Sequence, residues 1–256
     1  MRRGRGRDRG GSAPHSPGGT GRFPRRPAIE VRRPAARPRP VWLFDLDNTL
    51  HDASHAIFSA IDQRMTAYVE RTLGVDRTEA NRLRVLYWRR YGATLLGLVR
   101  HHGIDPHHFL RECHDFDVAA LLRAERGLAR LFARLPGRKV LLSNAPLAYA
   151  GTVLRKLALH RHFATRYTIE RMRVHGTFRP KPSRLMLRAT LARERIKPAA
   201  AVLVEDSVAN LRSARALGLR TVLITRHGPG SMRYAGASVV GLRIASLHEL
   251  ARRMPR

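Results

Sequence analysis

The sequence of 256 residues contains a single cysteine, Cys113. An internal disulfide bond is therefore excluded, and so is a metal site built from several cysteines. No apolar run approaches the roughly 20 residues that a membrane-spanning helix requires, and the arginine-rich start is not followed by the apolar segment of a secretion signal. These absences predict a cytoplasmic protein that does not insert into a membrane.

Lysine is also scarce, although the formal net charge is +30. Only four of the 49 basic residues are lysines, and the other 45 are arginines spread along the whole chain. A strongly basic surface favours nucleic acid because binding releases counterions from the phosphates. The even spread of the arginines indicates a coding bias, as in a GC-rich genome, more than a selected binding surface.

Residues 1–40 lack apolar periodicity. They hold 12 arginines and 7 of the 15 prolines, against two acidic residues, Asp8 and Glu30. Such a segment cannot bury enough apolar surface to offset its ordering entropy, so we predict that it is disordered. It is either an arm for RNA or another anionic surface, a solvated tail, or the product of a mis-assigned start codon. We expect nucleic acid to be bound only through this tail, if at all.

From residue 41 onward, short apolar runs alternate with helical patterns. Continuous runs rich in Val and Leu predict strands that are buried on both faces of a parallel sheet. The runs occupy residues 41–45, 139–144, 201–206 and 221–225, and the helical patterns occupy 146–159, 183–195 and 207–218. An edge strand and a closing helix are predicted near the end of the chain.

Residues 54–135 have apolar residues at helical spacing and no candidate strand. A strand, a helical insertion and then alternating strands and helices predict an α/β fold. Its core is a doubly wound parallel sheet, and an all-helical domain is inserted after the first strand. The predicted division is a tail (1–40), a core (41–53 and 136–256) and a helical cap (54–135).

Polar residues follow the predicted strands at their carboxyl ends, where open parallel sheets bind their ligands. Any one of these groups is also typical of a turn or a helix cap, but the four together indicate a site. They are Asp45 and Asp47, Ser143 and Asn144, Lys181, and Glu205 and Asp206.

Carboxylates that converge on one point repel each other unless a cation joins them. Mg²⁺ prefers oxygen ligands of this kind, together with a substrate phosphate. Ser143 and Lys181 supply hydrogen-bond donors for phosphate oxygens. The pattern predicts phosphoryl transfer from a small phosphorylated metabolite, since positioning and charge neutralisation dominate that chemistry.

The segments DLDNT (45–49), SN (143–144), Lys181 and EDSVAN (205–210) resemble the four motifs of the haloacid dehalogenase superfamily. The helical insertion after the first motif resembles the subfamily with a helical cap at that place. The resemblance covers about residues 41–230. It implies a phosphatase, because dehalogenases of the superfamily lack the second aspartate of the first motif and transport ATPases have threonine there.

The resemblance also implies roles for individual residues. Asp45 is expected to be the nucleophile that forms an aspartyl-phosphate, and Asp47 the acid that protonates the leaving oxygen and the base that later activates water. Mg²⁺ is expected to be bound by the Asp45 side chain, the Asp47 backbone carbonyl and Asp206, with Glu205 behind these ligands.

Binding of the phosphoryl group is expected to involve Ser143, Lys181 and the backbone amide of Asn144. The histidines 101, 102, 107 and 108 resemble a metal cluster by number, but the turn residues between the two pairs favour solvated side chains.

A narrower resemblance concerns the substrate. RMTAYVERTLG (64–74), RRYGATLLGLVRHHGIDPHHFL (89–110) and LPGRKVLLSNAP (135–146) resemble the pyrimidine 5′-nucleotidase family, which implies hydrolysis of UMP or CMP. Arg90 and Tyr91 are the substrate-binding candidates of this segment. Trp88 and Tyr87 are more typical of a packed core than of base stacking.

His51 departs from that family, which commonly has tyrosine there, and it lies on the segment leading to the cap. The base preference is therefore left open. Two other functions also stay open: a phosphatase of small sugar phosphates or phosphoglycolate, and a basic RNA-associated protein without turnover.

Overall fold

The computed structural model describes residues 39–227 and 238–253. The predicted disordered segment at 1–40 lies outside the described residues except for its last two positions. Within the described ranges, no helix combines the length and the apolar character needed to cross a membrane.

Six parallel strands form the central sheet, in the order β3-β2-β1-β6-β7-β8. The prediction of a parallel α/β sheet is confirmed. The strands are β1 (Val41–Phe44), β2 (Arg138–Leu142), β3 (Thr165–Tyr167), β6 (Ala201–Glu205), β7 (Arg220–Ile224) and β8 (Leu242–Ile244), and a separate antiparallel hairpin is made by β4 (Arg173–Val174) and β5 (Thr177–Phe178). Strand β1 lies between β2 and β6, and its side chains are buried on both faces of the sheet, Trp42 and Phe44 in one hydrophobic cluster and Leu43 in the other, as continuous apolar runs require.

Helices cover both faces of the sheet and fill the connection between β1 and β2. They are α1 (Ile57–Leu73), α2 (Arg77–Tyr91), α3 (Thr94–His102), α4 (Pro106–Cys113), α5 (Val118–Leu121), α6 (Leu128–Arg134), α7 (Leu147–Lys156), α8 (Arg184–Arg193), α9 (Val208–Arg215) and α10 (Leu247–Arg253). Sequence signals set several of the ends. Asp76 caps α2 by accepting from the amide of Glu79, and Gly74 ends α1 with a φ of 63°, a conformation that glycine adopts without strain.

Helices α1 to α4 have a hydrophobic core of their own. Tyr68, Tyr87, Leu98 and Phe109 are buried together there, and Phe178 of the β4–β5 hairpin packs against them. Helices α5 and α6 instead bury their side chains in the cluster that covers the sheet, where Phe132 contacts Phe44. The helices with a separate core therefore end before α5, whereas the predicted boundary lies at residue 135. The division into domains stays a prediction.

The four predicted solvent-facing histidines of the α3–α4 region are exposed. Three of them bond to tyrosine hydroxyls instead of converging on one point: His101 to Tyr91, His102 to Tyr87 and His108 to Tyr68. Among the described residues, the one group of acidic or histidine side chains that could hold a metal ion lies elsewhere.

Candidate active site

The carboxyl ends of three neighbouring strands bring the predicted site residues together. The amide of Asp45 continues the pairing of β1 with β6 by donating to the Val204 carbonyl at 3.1 Å, and the Ser143 amide extends β2 by donating to Tyr167 at 2.9 Å. Asn48 then turns the chain with a φ of 59°, and its side-chain oxygen accepts from the amides of Ala53 and Ser54. Asparagine tolerates this left-handed conformation better than most residues. Strand pairing and one tight turn therefore position the first motif.

Lys181 lies between two buried carboxylates. Its Nζ donates to Oδ1 of Asp45 at 2.5 Å and to Oε2 of Glu205 at 2.8 Å. All three side chains are almost fully buried. The second oxygen of Asp45 accepts from the Thr49 hydroxyl at 3.1 Å. One ammonium group thus links the end of β1 to the end of β6.

The charges of this cluster do not cancel. Burial raises the pKa of Asp45 to about 7, and the charge of Glu205 acts in the same direction. Burial likewise raises the pKa of Glu205 to about 7, against the attraction of Lys181. The pKa of Asp206 is also raised, by burial and by the charge of Asp45. Burial acts to lower the pKa of Lys181, but the charges of Asp45 and Glu205 and their hydrogen bonds to it hold the pKa above the usual value.

Oxygen atoms of Asp45, Glu205 and Asp206 lie within 4.8 Å of one another. Three carboxylates face one ammonium group, so a divalent cation fits both the charge and the oxygen donors of the cluster. Both oxygens of Glu205 already have partners, because Oε1 accepts from the Ser207 amide at 3.2 Å and Oε2 from Lys181. Asp45 and Asp206 are thus better placed than Glu205 to bind a metal directly.

Ser143 and Asn144 lie beside this cluster. The Ser143 side chain is fully buried, and its Oγ accepts from the Ala145 amide at 3.1 Å. The Asn144 side chain bonds the backbone of Lys181 twice, accepting from its amide at 2.8 Å and donating to its carbonyl at 3.1 Å. Asn144 therefore fixes the Lys181 segment with its side chain, in addition to the backbone role expected for it.

Asp47 lines the cleft next to Asp45, and one of its oxygens is bonded twice. Oδ1 is 2.9 Å from Nε2 of His51 and accepts from the Tyr149 hydroxyl at 2.7 Å. Burial acts to raise the pKa of Asp47, but the bonds and charge from His51 and Tyr149 hold it below the usual value. His51 is buried and is not among the residues that line the cleft. The turn after β1 directs its ring toward Asp47 instead.

A cleft of about 650 Å³ separates these residues from helices α1 to α4. Its far wall includes two aromatic side chains that remain accessible, Trp88 with 60% and Phe58 with 39% of their surface exposed. Arg84 also lines this wall, and its guanidinium pairs with Asp62 at 2.7 Å.

The structure does not bring Arg90 and Tyr91 to this cleft. They line a different cavity of about 1020 Å³ next to the β4–β5 hairpin. Arg84, Val85, Trp88 and Arg89 line the cleft from one face of α2, and the helical repeat places Arg90, two residues beyond Trp88, on the opposite face. Tyr91 instead bonds His101 at 2.6 Å.

Sequence reasoning missed two residues near the catalytic edge, Tyr149 and His114, and it favoured a packed core for Trp88, which is 60% exposed on the far wall of the cleft. Tyr149 lies in the first turn of α7, the helix that follows β2, and this position is a usable signal because such turns face the ligand edge. His114 follows α4 and lines the cleft, and burial lowers its pKa. No local pattern distinguishes it from the four exposed histidines.

Solved structures of similar fold come from several organisms. The HAD phosphatase of Thermococcus onnurineus is 21% identical with a TM-score of 0.56, over 85% of this chain and 98% of that one. CbbY of Rhodobacter sphaeroides in complex with phosphate is 23% identical with a TM-score of 0.56, over 84% and 97%. A candidate phosphoglycolate phosphatase of Lactobacillus plantarum is 18% identical with a TM-score of 0.56, over 84% and 98%. These likenesses establish the fold.

Among curated proteins, Phosphate metabolism protein 8 of Saccharomyces cerevisiae is 36% identical over 67 residues, which cover 26% of this chain and 21% of the relative. The match thus spans about a fifth of that protein's length. The model of the haloacid dehalogenase-like hydrolases matches residues 41–218, well over half of this chain. The chain therefore belongs to the haloacid dehalogenase-like hydrolase family.

Proposed function

We propose that the protein is a Mg²⁺-dependent phosphomonoesterase that acts through an aspartyl-phosphate on Asp45. The single observation that carries the proposal is the contact of Lys181 with both Asp45 and Glu205 at the edge of the sheet, with Asp206 beside them. Family membership adds the hydrolytic reaction class.

In the proposed reaction, an oxygen of Asp45 attacks phosphorus and forms a P–O bond, while the ester P–O bond breaks and a proton on Asp47 passes to the leaving oxygen. In the second step, a water oxygen attacks the phosphorus and gives its proton to Asp47. The bond to Asp45 then breaks, and inorganic phosphate is released.

Asp45, Asp206 and the backbone carbonyl of Asp47 are the proposed Mg²⁺ ligands, and Glu205 holds Lys181 behind them. The bound ion supplies positive charge for the phosphoryl oxygens. Lys181, the Ser143 hydroxyl and the Asn144 amide are the proposed protein donors to the same oxygens, and the burial of the cluster strengthens each of these contacts.

For the substrate we propose a pyrimidine nucleoside 5′-monophosphate such as UMP or CMP. The support is the wall opposite Asp45, where the exposed ring of Trp88 is available to stack on a base. A phosphate ester as small as phosphoglycolate has no base to place against this ring.

A phosphatase of small sugar phosphates or phosphoglycolate is the second candidate. The observation in its favour is the similar fold of the candidate phosphoglycolate phosphatase of Lactobacillus plantarum. A basic RNA-associated protein without turnover is the third, and the retention of both Asp45 and Asp47 argues against it, since binding alone does not need a nucleophile and an acid. The choice among the three belongs to experiment.

The test is a panel of phosphate esters with purified protein and Mg²⁺: UMP, CMP, AMP, GMP, ribose 5-phosphate, phosphoglycolate and p-nitrophenyl phosphate. We expect the highest kcat/KM with UMP or CMP, and no turnover by Asp45→Asn or after chelation of the metal. If phosphoglycolate or ribose 5-phosphate is hydrolysed as fast as UMP and CMP or faster, the pyrimidine nucleotide proposal is wrong and the second candidate function takes its place. If none of the esters is hydrolysed, the proposal that the protein is a phosphatase is wrong.

A further inference from the structure

Asp47 is held by two buried side chains from different parts of the chain. Nε2 of His51 and the hydroxyl of Tyr149 both bond to its Oδ1, at 2.9 and 2.7 Å. His51 belongs to the turn after β1, whereas Tyr149 lies 102 positions beyond Asp47, in α7. Among the residues that the structure describes, no side chain bonds to the other oxygen, Oδ2.

The surroundings of His51 point to a specific use of its ring. The side chain is completely buried, and its second nitrogen, Nδ1, has no hydrogen-bond partner in the described ranges. A buried nitrogen without a partner lowers stability, and an apolar ring avoids that cost. Because a carboxylate only accepts, Nε2 carries the hydrogen and donates it to Asp47. This bond is the one polar contact of the ring within the described residues.

The Tyr149 ring is also fixed in place. It is buried, and the His114 ring packs against it edge to face with 5.5 Å between the centroids. Its hydroxyl is therefore presented to Asp47 from one direction, while His51 approaches the same oxygen from the turn.

We propose that His51 and Tyr149 are positioning residues for Asp47, and the proposal rests on the function proposed above. By bonding to Oδ1 they fix the plane of the carboxyl group and leave Oδ2 as the oxygen that transfers the proton. A carboxyl group without these bonds rotates, and an acid outside hydrogen-bond reach of the leaving oxygen does not protonate it.

The two donors also stabilise the ionised form of Asp47 in the substrate-free protein. The negative charge of a bound phosphoryl group acts in the opposite direction, because a nearby like charge favours the protonated form of a carboxyl group. The role assigned to His51 and Tyr149 is therefore orientation, and it does not require either residue to change its protonation state.

The test compares leaving groups. An alkoxide leaving group needs a proton from Asp47, whereas p-nitrophenolate leaves with little help, because its conjugate acid is much stronger than an alcohol. The value of kcat/KM reports the first phosphoryl transfer, before water is activated. A misplaced acid therefore lowers kcat/KM for alkyl phosphates more than for p-nitrophenyl phosphate, and a general structural defect lowers both equally.

Three variants are measured with the alkyl phosphate that the panel shows to be hydrolysed fastest and with p-nitrophenyl phosphate. Tyr149→Phe removes one hydroxyl, His51→Phe removes the ring donor, and His51→Gln keeps an amide donor near the position of Nε2. Tyr167→Phe is the matched control, because Tyr167 is buried and donates to a carboxylate outside the site, Glu194, at 2.9 Å.

For Tyr149→Phe and His51→Phe, we expect kcat/KM to fall about tenfold for the alkyl phosphate, the effect of one hydrogen bond to a charged group, and less than about threefold for p-nitrophenyl phosphate. His51→Gln recovers part of the loss, and Tyr167→Phe shows no difference between the two esters. Equal losses on both esters, or no loss on either, overturn the proposal. Circular dichroism and thermal unfolding identify a variant that has failed to fold. If a His51 variant fails to fold, the result with Tyr149→Phe tests the proposal, because this substitution removes a single oxygen and disturbs the packing least.

Asp47→Asn separates this proposal from the function on which it rests. If Asp47→Asn loses more activity on the alkyl phosphate than on p-nitrophenyl phosphate, then Asp47 is the acid. The His51 and Tyr149 variants then decide whether these two residues position it. If Asp47→Asn loses the same factor on both esters, the acid role itself is wrong and the positioning proposal falls with it.

Discussion

Nζ of Lys181 lies 2.5 Å from Oδ1 of Asp45, although 136 positions of the sequence separate the two residues. The same ammonium group also contacts Glu205, so a single cation faces two buried carboxylates. Asp206 lies beside them. The protein alone therefore leaves this edge of the sheet with excess negative charge, which a bound divalent cation can offset.

Asp45→Asn is expected to lower kcat/KM by about 10⁴-fold or more, the scale of losing a nucleophile. The fold is expected to persist, because Glu205 still pairs with Lys181 and no ammonium charge is left alone. Steady-state kinetics with Mg²⁺ and a thermal melt of both proteins check the two parts. Turnover close to that of the unsubstituted protein would rule out Asp45 as the nucleophile.

Lys181→Met is expected to destabilise the metal-free protein by about 3 kcal/mol near pH 8, because it leaves Asp45 and Glu205 buried without their cation. The loss shrinks toward pH 5. Burial raises the pKa of both carboxyls to about 7 even though Lys181 lowers it, so removal of Lys181 raises the pKa further. As the pH falls, the folded variant takes up protons before the unsubstituted protein does, and this uptake relieves the repulsion between the two carboxylates. Urea unfolding in EDTA at both pH values measures this. A loss that grows toward pH 5 contradicts the assignment.

Binding of Mg²⁺ is expected to strengthen as the pH rises through about 7, the raised pKa of Asp45. The ion needs the ionised carboxylate, so at lower pH it must displace a proton. One such proton makes the dissociation constant about tenfold larger near pH 6 than near pH 8. Calorimetric titration in two buffers of different ionisation enthalpy measures both the affinity and the proton released. Affinity that is independent of pH would mean that Asp45 does not bind the ion.

Trp88→Ala is expected to raise the KM for UMP about tenfold with little change in kcat, since stacking of a base on an aromatic ring contributes about 1–3 kcal/mol. Hydrolysis of ribose 5-phosphate, which has no base, is expected to stay the same. Leu86→Ala is the matched control, because Leu86 is an exposed apolar residue of the same helix that does not line the cleft. If Trp88→Ala changes the KM of both substrates equally, base stacking on Trp88 is excluded.

Gly97→Ala is expected to lower the free energy of unfolding by about 1–3 kcal/mol, the usual effect of overpacking. A Cβ at this position of α3 would lie 2.1 Å from Cγ of Tyr87, so the helices must move apart. Gly151→Ala in α7 is the control, because its Cβ would meet only the end of the Arg155 side chain at 3.4 Å, and it is expected to leave stability unchanged or raise it. Chemical denaturation of both variants tests the contact, and equal stabilities would show that α2 and α3 adjust freely.

The buried strands and the site at their ends could be predicted because one physical cause governs both. Strands covered on both faces need continuous apolar runs, and parallel strands bring their carboxyl ends to one edge, so the residue pattern alone groups Asp45, Ser143 and Glu205. Strand β3 escaped prediction, since Thr165–Tyr167 is three residues long with an arginine at its centre. A short edge strand depends on its neighbour more than on its own sequence.

The side of a helix that faces a ligand was harder to predict. The sequence pattern placed aromatic and basic residues on α2, but which of Trp88, Arg90 and Tyr91 reaches the cleft depends on the rotation of that helix. Packing of Tyr87 against α3 fixes this rotation, and such a contact between helices leaves no periodic signal in α2 alone. The contact of His51 with Asp47 was not predicted for a related reason, because a position near the cap in the sequence does not fix the direction of a ring in a tight turn.

The paired bonds between the Asn144 side chain and the backbone of Lys181 have a consequence for how this protein tolerates change. They join the end of β2 directly to the lysine, so the position of the ammonium group does not depend on the length of the chain between them. Residues added at the exposed hairpin turn of His175 and Gly176 are then expected to leave the catalytic edge in register. The turn of this hairpin is thereby a place where the scaffold is expected to accept an engineered insertion.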